Sequence, residues 1–245
     1  LKGASATDGT EAVSASIAEY TEGKGYEIVS EQQGDILDEQ ATCEAIEKAV
    51  ASLKESVDLS KEKAYKKPEF TSESDVLKDA VETLNRYAST EITYKFGDDT
   101  VVLDGTRINK WIKIKKDNTV KLRRNKVEKF VQELHRKYDT VFTNRKFKTA
   151  YGDTVTVYGG DYGWWMNTVK ETDKLVKLIQ KGAVKERTPE YRQTAVSYGD
   201  KDYGDTYAEV DLSGQHVFVV KDGKVVFDTA CVTGNESQGH ATPAG

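Results

Sequence analysis

Cysteine, histidine, proline and long apolar runs are all scarce in this chain of 245 residues. Its two cysteines, Cys43 and Cys231, are too few for a disulfide framework, although they leave one bridge possible. Its three histidines, His135, His216 and His240, do not occur at the spacing of a metal site, so none is expected. No apolar run approaches the roughly 18 residues of a membrane helix, and the N-terminus lacks the apolar stretch of a signal peptide.

The remaining composition, 37% hydrophobic and 31% charged, is that of a globular protein with one large or two modest domains. The net charge of −5 hides an asymmetry, because residues 110–148 hold 14 Lys and Arg against 4 Asp and Glu. Such a stretch could meet a polyanion, such as teichoic acid or nucleic acid. We expect a solvated helix face beside acidic neighbours instead, and no nucleic-acid partner.

Apolar residues at spacings of three and four predict helices over about residues 38–54, 72–88, 106–112, 124–138 and 169–181. Asp38 is the predicted N-cap of the first helix. Cys43, Ile46, Val50 and Leu53 share one stripe of it, which predicts that Cys43 is a small core residue and not a reactive thiol.

Alternating apolar and polar residues predict strands between these helices. They favour a hairpin over 92–103, a three-stranded meander over 147–167 and a second meander over 207–233. The second meander turns at Asp222 and Gly223, where a tight hairpin needs positive φ angles, and its last strand has an open edge. The predicted fold class is α+β, with helices packed on antiparallel β meanders.

The second meander also carries a family resemblance. From Tyr207 through the strands to VTGN at 232–235, and then TPAG at 242–245, the sequence resembles the opening of the L,D-transpeptidase (YkuD-like) catalytic domain. In that family a Ser-His-Gly-Cys motif follows, and its Cys is the acyl-enzyme nucleophile. The motif does not occur here. The resemblance implies the first antiparallel strands of an incomplete, truncated catalytic domain without catalytic residues, in which Cys231 is an ordinary strand residue.

A second segment resembles the same family. The strings YDT at 138–140, FKT at 147–149 and YGGDYGWW at 158–165 are similar to the peptidoglycan-binding domain that precedes the catalytic domain in many Gram-positive L,D-transpeptidases. The expected organisation is a flexible tail over 1–25, an accessory domain over 26–205 and the truncated catalytic start over 206–245. A Tyr- and Gly-rich linker with few contacts is expected over 197–205.

The resemblance also implies a function. The parent protein is expected to be a transferase of peptidoglycan biosynthesis that cross-links stem peptides through a Cys thioester, without a cofactor. This chain is expected to be inactive and at most wall-binding, with peptidoglycan as its partner. Its expected location is the extracellular face of the cytoplasmic membrane or the cell wall, with an anchor upstream of residue 1. The alternative is a non-catalytic cell-surface or polyanion-binding module.

An aromatic cluster beside three glycines is the predicted binding surface. Tyr158, Tyr162, Trp164 and Trp165 offer large, rigid faces on which a glycan or a peptide stem could stack. The alternative is that the tryptophans anchor the core of the meander. Because adjacent residues of a strand point to opposite faces, at most one of the two tryptophans is expected to face a core.

Overall fold

A computed structural model describes residues 9–243. Its helices are α1 (Glu39–Ala51), α2 (Asp75–Ala88), α3 (Gly105–Ile108), α4 (Arg124–Tyr138) and α5 (Thr168–Gln180), with 3-10 turns at Asn109–Trp111 and Glu236–Gln238. Its strands are β1 (Ser16–Ile17), β2 (Ile28–Val29), β3 (Glu91–Phe96), β4 (Asp99–Leu103), β5 (Ile112–Ile114), β6 (Val120–Leu122), β7 (Arg145–Lys148), β8 (Thr154–Val157), β9 (Trp165–Met166), β10 (Val184–Arg187), β11 (Tyr191–Gln193), β12 (Tyr207–Asp211), β13 (His216–Lys221) and β14 (Lys224–Ala230). Within this range, no helix combines the length and the apolar character that crossing a bilayer requires.

The strands form small sheets, and the α+β fold class is confirmed. Antiparallel pairs join β1 to β2, β5 to β6, β7 to β8 and β9 to β11, and β12, β13 and β14 form an antiparallel meander. One sheet is mixed, since β3 pairs antiparallel with β4 and parallel with β10. The parallel pair joins strands about ninety residues apart in the chain, and local alternation could not predict it.

The chain divides into two compact units. The first comprises residues up to Thr90, Asp104–Leu122 and Gln180–Gly182, and the second comprises Glu91–Leu103, Arg123–Ile179 and residues from Ala183 onward. The predicted division at residue 205 does not coincide with these units, because the strands after it cluster with the second unit. Contacts between segments distant in sequence define the units, and composition does not encode them.

Helix α1 of the first unit begins where the sequence predicts, but its buried face differs. The Asp38 side chain accepts a hydrogen bond from the Ala41 backbone N at 2.9 Å, as an N-cap does. The helix buries its alanine face, with Ala45 in a small cluster with Leu59 and Ala64. The predicted stripe is wrong, since Cys43 is exposed and the remaining members are Ile46 at 40%, Val50 at 68% and Leu53 at 91% exposed.

The described part of the predicted tail, residues 9–25, makes backbone pairs at several positions. β1 lies antiparallel to β2, and Val13 bridges Gln32. The chain passes so close to Gly34 that a Cβ there would lie 2.4 Å from the Ala12 backbone N. A sequence of small polar residues predicted no structure here because backbone pairing, and not apolar periodicity, orders it. Residues 1–8 of that predicted tail lie outside the described residues.

The second unit has an aromatic core between β3 and α4. β3 buries every second residue, and the ring of its Phe96 stacks on Tyr138 of α4 with centroids 3.6 Å apart. The Tyr94 ring lies 6.1 Å from that of Phe130. The predicted stripe of α4 is confirmed, because all of its members are buried: Val127, Phe130, Val131, Leu134 and Tyr138.

Two predictions about the second unit are wrong. β9 does not complete a meander with β7 and β8, since it pairs with β11. The segment 197–205 is not a linker with few contacts, because Asp202 is 1% exposed and Tyr198 stacks on Trp164 at 4.1 Å. Tyr198, Tyr203 and Asp202 have partners far away in sequence, which local composition does not reveal.

The second predicted meander, by contrast, is confirmed as β12, β13 and β14. Its turn at Asp222 and Gly223 has positive φ at both residues, 51° and 73°. Phe218 and Val220 of β13 are buried, whereas all seven residues of the edge strand β14 are exposed.

A candidate binding groove

A groove of about 470 Å³ lies between the β7–β8 hairpin and strand β12 of the second unit. The hairpin presents one face to it, because residues at alternate positions of β7 and β8 line it. Arg145 faces Val157 across this hairpin, and Phe147 faces Val155. The opposite wall is the chain from Tyr203 to Leu212, which includes β12.

Three aromatic rings meet along this groove. Phe147 lies 5.5 Å from Tyr203 and 5.3 Å from Tyr207, and the two tyrosines are 5.4 Å apart at an edge-on angle. Burial is the main cause that raises the pKa of both Tyr203 and Tyr207 above the ordinary phenol value; Tyr207 and nearby aspartates raise that of Tyr203 further, and Glu209 and Asp205 raise that of Tyr207. Both therefore stay neutral at physiological pH and offer hydroxyl groups beside apolar ring faces.

A buried ion pair fixes one end of the groove. The Arg145 side chain donates from Nε to Asp202 Oδ1 at 2.8 Å and from Nη2 to Asp202 Oδ2 at 2.7 Å. Asp202 also accepts from the Thr140 hydroxyl at 2.6 Å. Burial by itself would raise the pKa of Asp202, but the hydrogen bonds from Arg145 and Thr140 and the Arg145 charge hold it below its usual range. This two-point geometry fixes the guanidinium plane.

Gly163 permits this arrangement. Its φ is +135°, and a Cβ there would lie 2.6 Å from Arg145 Nη2 and 2.7 Å from the Thr140 carbonyl carbon. The turn that carries Tyr162 can thus approach the guanidinium, which donates to the Tyr162 carbonyl at 2.8 Å. A side chain at 163 would collide with these groups, so glycine is required for both conformation and space.

A buried carboxylate lies on the opposite wall. Glu209 of β12 is 8% exposed, and its two oxygens accept from the single Ala150 backbone N–H at 3.1 and 2.9 Å. No Lys or Arg makes an ion pair with it among residues 9–243. A carboxylate can accept about four hydrogen bonds, so most of its capacity is unused by these residues.

The structure separates the four aromatic residues that the sequence groups together. Tyr162 lines the groove, whereas the 61% exposed Tyr158 does not. Trp164 packs against Tyr198 and donates from its indole N to the Ser197 carbonyl at 2.8 Å. Trp165 instead meets Phe142 edge-on at 5.6 Å, with the Arg192 guanidinium 5.1 Å from its ring.

Sequence reasoning missed most of the groove. The missed residues are Arg145, Phe147, Tyr203, Tyr207 and Glu209. The alternation of Arg145 and Phe147 with lysines on β7 was a usable signal for one wall. The other wall comes from a segment about sixty residues later, and no local pattern connects the two.

Comparisons with known proteins relate parts of this chain to a described domain family and to solved structures. Residues 70–187 match the family model described as "Putative peptidoglycan binding domain". Two solved structures resemble the chain at 34% identity. One is the Ldtfm–avibactam carbamoyl enzyme, with a TM-score of 0.51 over 69% of this chain and 65% of that one. The other is a cysteine-to-serine mutant of the Enterococcus faecium L,D-transpeptidase, with a TM-score of 0.50 over 68% of this chain and 66% of that one.

The chain is a relative of the L,D-transpeptidases. Its match to a putative peptidoglycan-binding domain and its likeness to two L,D-transpeptidase structures together support a role related to cell-wall enzymes. It spans 65% and 66% of the length of the two transpeptidase chains, slightly less than two thirds. No curated protein matches it.

Within the described residues, neither Cys43 nor Cys231 is paired with a histidine as a catalytic thiol would be. Cys43 is exposed on α1, and Cys231 follows the last residue of β14 and donates its backbone N–H to the Gln215 carbonyl. His216 pairs instead with Asp228, with Nε2 and Oδ2 2.9 Å apart. In residues 9–243, no three His, Cys, Asp or Glu side chains are grouped so that they could hold a metal ion.

The basic stretch of this chain, residues 110–148, is divided between the two units. Residues 110–122 belong to the first and 123–148 to the second. Several of its charges have acidic partners: Arg124 lies 2.5 Å from Asp173, Lys137 lies 3.7 Å from Asp99, and Arg145 is paired with Asp202. The exposed pairs of Arg124 and Lys137 are those of a solvated face beside acidic neighbours, whereas the Arg145–Asp202 pair is buried.

Trp164 is expected to matter for stability. Trp164→Ala should lower the free energy of unfolding by about 3 kcal/mol, because it removes a ring that packs on Tyr198 and Tyr191 and leaves the Ser197 carbonyl without its indole donor. Urea denaturation measures the change. The exposed Tyr158→Ala is the control and should stay within about 0.5 kcal/mol of wild type. Equal losses in both variants would contradict a structural role for Trp164.

Proposed function

We propose that this chain is the peptidoglycan-binding part of a bacterial cell-wall L,D-transpeptidase, and that the groove holds the peptidoglycan. The observation that carries the proposal is a groove with aromatic and carboxylate walls. Its hairpin wall lies inside the matched domain at 70–187. Aromatic faces with adjacent polar groups suit amphipathic ligands such as amino sugars and short peptides.

The proposal extends to the role of the parent protein. Its chemistry would be the cross-linking of stem peptides through a Cys thioester, at the extracellular face of the membrane or in the cell wall. We assign no acyl transfer to Cys43 or Cys231, because thiolate catalysis needs a base beside the sulfur. Neither sulfur has a hydrogen-bonding imidazole within the described residues.

Two tyrosines of nearly equal exposure test the groove. Tyr151 is 60% exposed and lines it, whereas Tyr158 is 61% exposed and does not. Tyr151→Ala should weaken co-sedimentation with purified peptidoglycan sacculi by about tenfold, the typical loss of an aromatic contact of about 1.4 kcal/mol. Tyr158→Ala should change it by less than about twofold.

The two variants need to remain folded for this comparison. The Tyr151 ring meets Phe218 edge-on at 5.1 Å, and its loss should cost no more than about 1.5 kcal/mol of stability. Thermal unfolding checks this. Failure of the wild-type chain to co-sediment, or the same weakening in both variants, would count against the groove as the peptidoglycan site.

A further inference from the structure

We propose that the groove selects an extended peptide that carries a free ammonium group, and that Glu209 binds this ammonium. The inference rests on the proposed function and names its ligand class. The bound group is the amine of a peptide and not an uncharged face of a sugar. Three observations carry it: the state of the Glu209 carboxylate, the charge of the groove and the edge of β12.

The Glu209 carboxylate is buried without a cation. It is 8% exposed, and one backbone N–H is shared between its two oxygens. A buried carboxylate is costly unless a positive charge and further hydrogen bonds compensate it. An ammonium brings one positive charge and three donors, which matches what this carboxylate lacks within the described residues.

The other charges of the groove do not supply this cation. Arg145 lines the groove, but its guanidinium is committed to Asp202 and to the carbonyls of Thr140, Thr143 and Tyr162. Asp153 and Asp211 also line the groove and add negative charge. With Arg145 neutralised, the groove is anionic and attracts cationic ligands.

The surroundings of Glu209 suit a cation in a second way. Glu209 and Tyr207 are two residues apart on β12, so their side chains lie on the same face of the strand, and both residues line the groove. After burial, the Glu209 charge is the next cause that raises the pKa of Tyr207. Phe147 and Tyr203 pack against Tyr207. An ammonium beside Glu209 could therefore also interact with aromatic faces, whose quadrupole attracts cations.

The edge of β12 indicates an extended peptide. β12 pairs with β13 on one side, and no strand pairs with its other side within residues 9–243. Six consecutive residues, 207–212, line the groove. Five of them, 207–211, form β12, whose side chains alternate between two faces, so a groove that all five line follows the edge of the strand. An extended chain can hydrogen-bond to such an edge while its side chains enter adjacent pockets.

The test compares two peptides that differ only in one charge. A pentapeptide with a central lysine and four alanines should bind at least about tenfold more tightly than the same peptide with Nε-acetyl-lysine, as expected for a charge-assisted hydrogen bond to a buried carboxylate. Isothermal titration calorimetry measures both affinities. Glu209→Gln should abolish the preference, since the amide keeps an acceptor for Ala150 N–H but loses the charge.

Two further variants separate Glu209 from general electrostatics and from misfolding. Asp153→Asn removes the same charge from the exposed rim of the groove and should reduce the preference by less than about threefold. Glu209→Asp keeps a carboxylate and should retain part of the preference. Equal affinity of the wild type for both peptides, or an undiminished preference in a folded Glu209→Gln variant, would overturn the inference.

Sacculi with chemically acetylated amines distinguish this inference from the proposed function. We expect the full chain to bind untreated sacculi and to lose most of that binding after acetylation. If acetylated and untreated sacculi bind equally well, the ammonium inference fails and the peptidoglycan proposal stands. If neither binds while the lysine peptide keeps its preference in calorimetry, the peptidoglycan proposal fails and Glu209 remains the ammonium site.

Discussion

Replacing Arg187 with methionine is expected to lower the free energy of unfolding by about 3–5 kcal/mol, because it leaves the buried Glu171 carboxylate without its cation. Glu171 is fully buried and the Arg187 side chain is 6% exposed. Glu171 Oε2 accepts from Arg187 Nη2 at 2.9 Å and from the Glu190 backbone N at 2.8 Å. Arg187 also donates to the Tyr94 hydroxyl at 3.2 Å, so one guanidinium links α5, β10 and β3.

A neighbouring surface pair is the matched control. Lys95 on β3 and Glu186 on β10 lie 3.3 Å apart with side chains 40% and 62% exposed. Lys95→Met should cost no more than about 1 kcal/mol, since exposed pairs are screened by solvent. Equilibrium urea denaturation measures both changes. The double variant Glu171→Leu and Arg187→Met should recover part of the loss, and a loss in Arg187→Met no larger than in Lys95→Met would contradict the buried network.

Replacing Asp202 with alanine is expected to cost a similar amount, about 3–5 kcal/mol, because Arg145 would lose the carboxylate that it pairs with in a buried position. The Arg145 side chain is 14% exposed and that of Asp202 is 2% exposed. Asp202 also accepts a hydrogen bond from the Thr140 hydroxyl. The groove should be disordered at the same time, since Arg145 lines it. The exposed Asp200→Ala, two residues away, should stay within about 0.5 kcal/mol of wild type.

The pH dependence gives a second readout for Asp202. Its pKa is lower in the folded state than the unfolded value of about 3.9, so its stabilising contribution is present above that pH and is lost as the pH falls through the folded value. Urea denaturation of the wild type and of Asp202→Asn should therefore differ most near neutral pH and converge in acid. A constant difference down to strong acid would show that the carboxylate charge does not contribute.

Helix and hairpin positions were largely predictable from the sequence. The predicted buried stripe of α4 was correct because Val127, Phe130 and Val131 lie on its one apolar face and the remaining faces of the helix are polar. The stripe of α1 was wrong because the helix packs its small Ala45 face and leaves the larger Val50 in solvent. A helical spacing of apolar residues shows that one face of the helix is apolar. It does not show which face finds a partner when two faces compete.

The sequence by itself determined the fold class, the helices, the β12–β14 meander and the relationship to L,D-transpeptidases, because these depend on local periodicity, turn residues and short motifs. Only the tertiary structure decided what lies at the groove. Arg145 meets Asp202 fifty-seven residues later, and Glu209 reaches Ala150 across fifty-nine. Such pairs depend on how distant segments pack and on the cost of burying a charge without a partner. Neither factor produces a repeating pattern in the sequence.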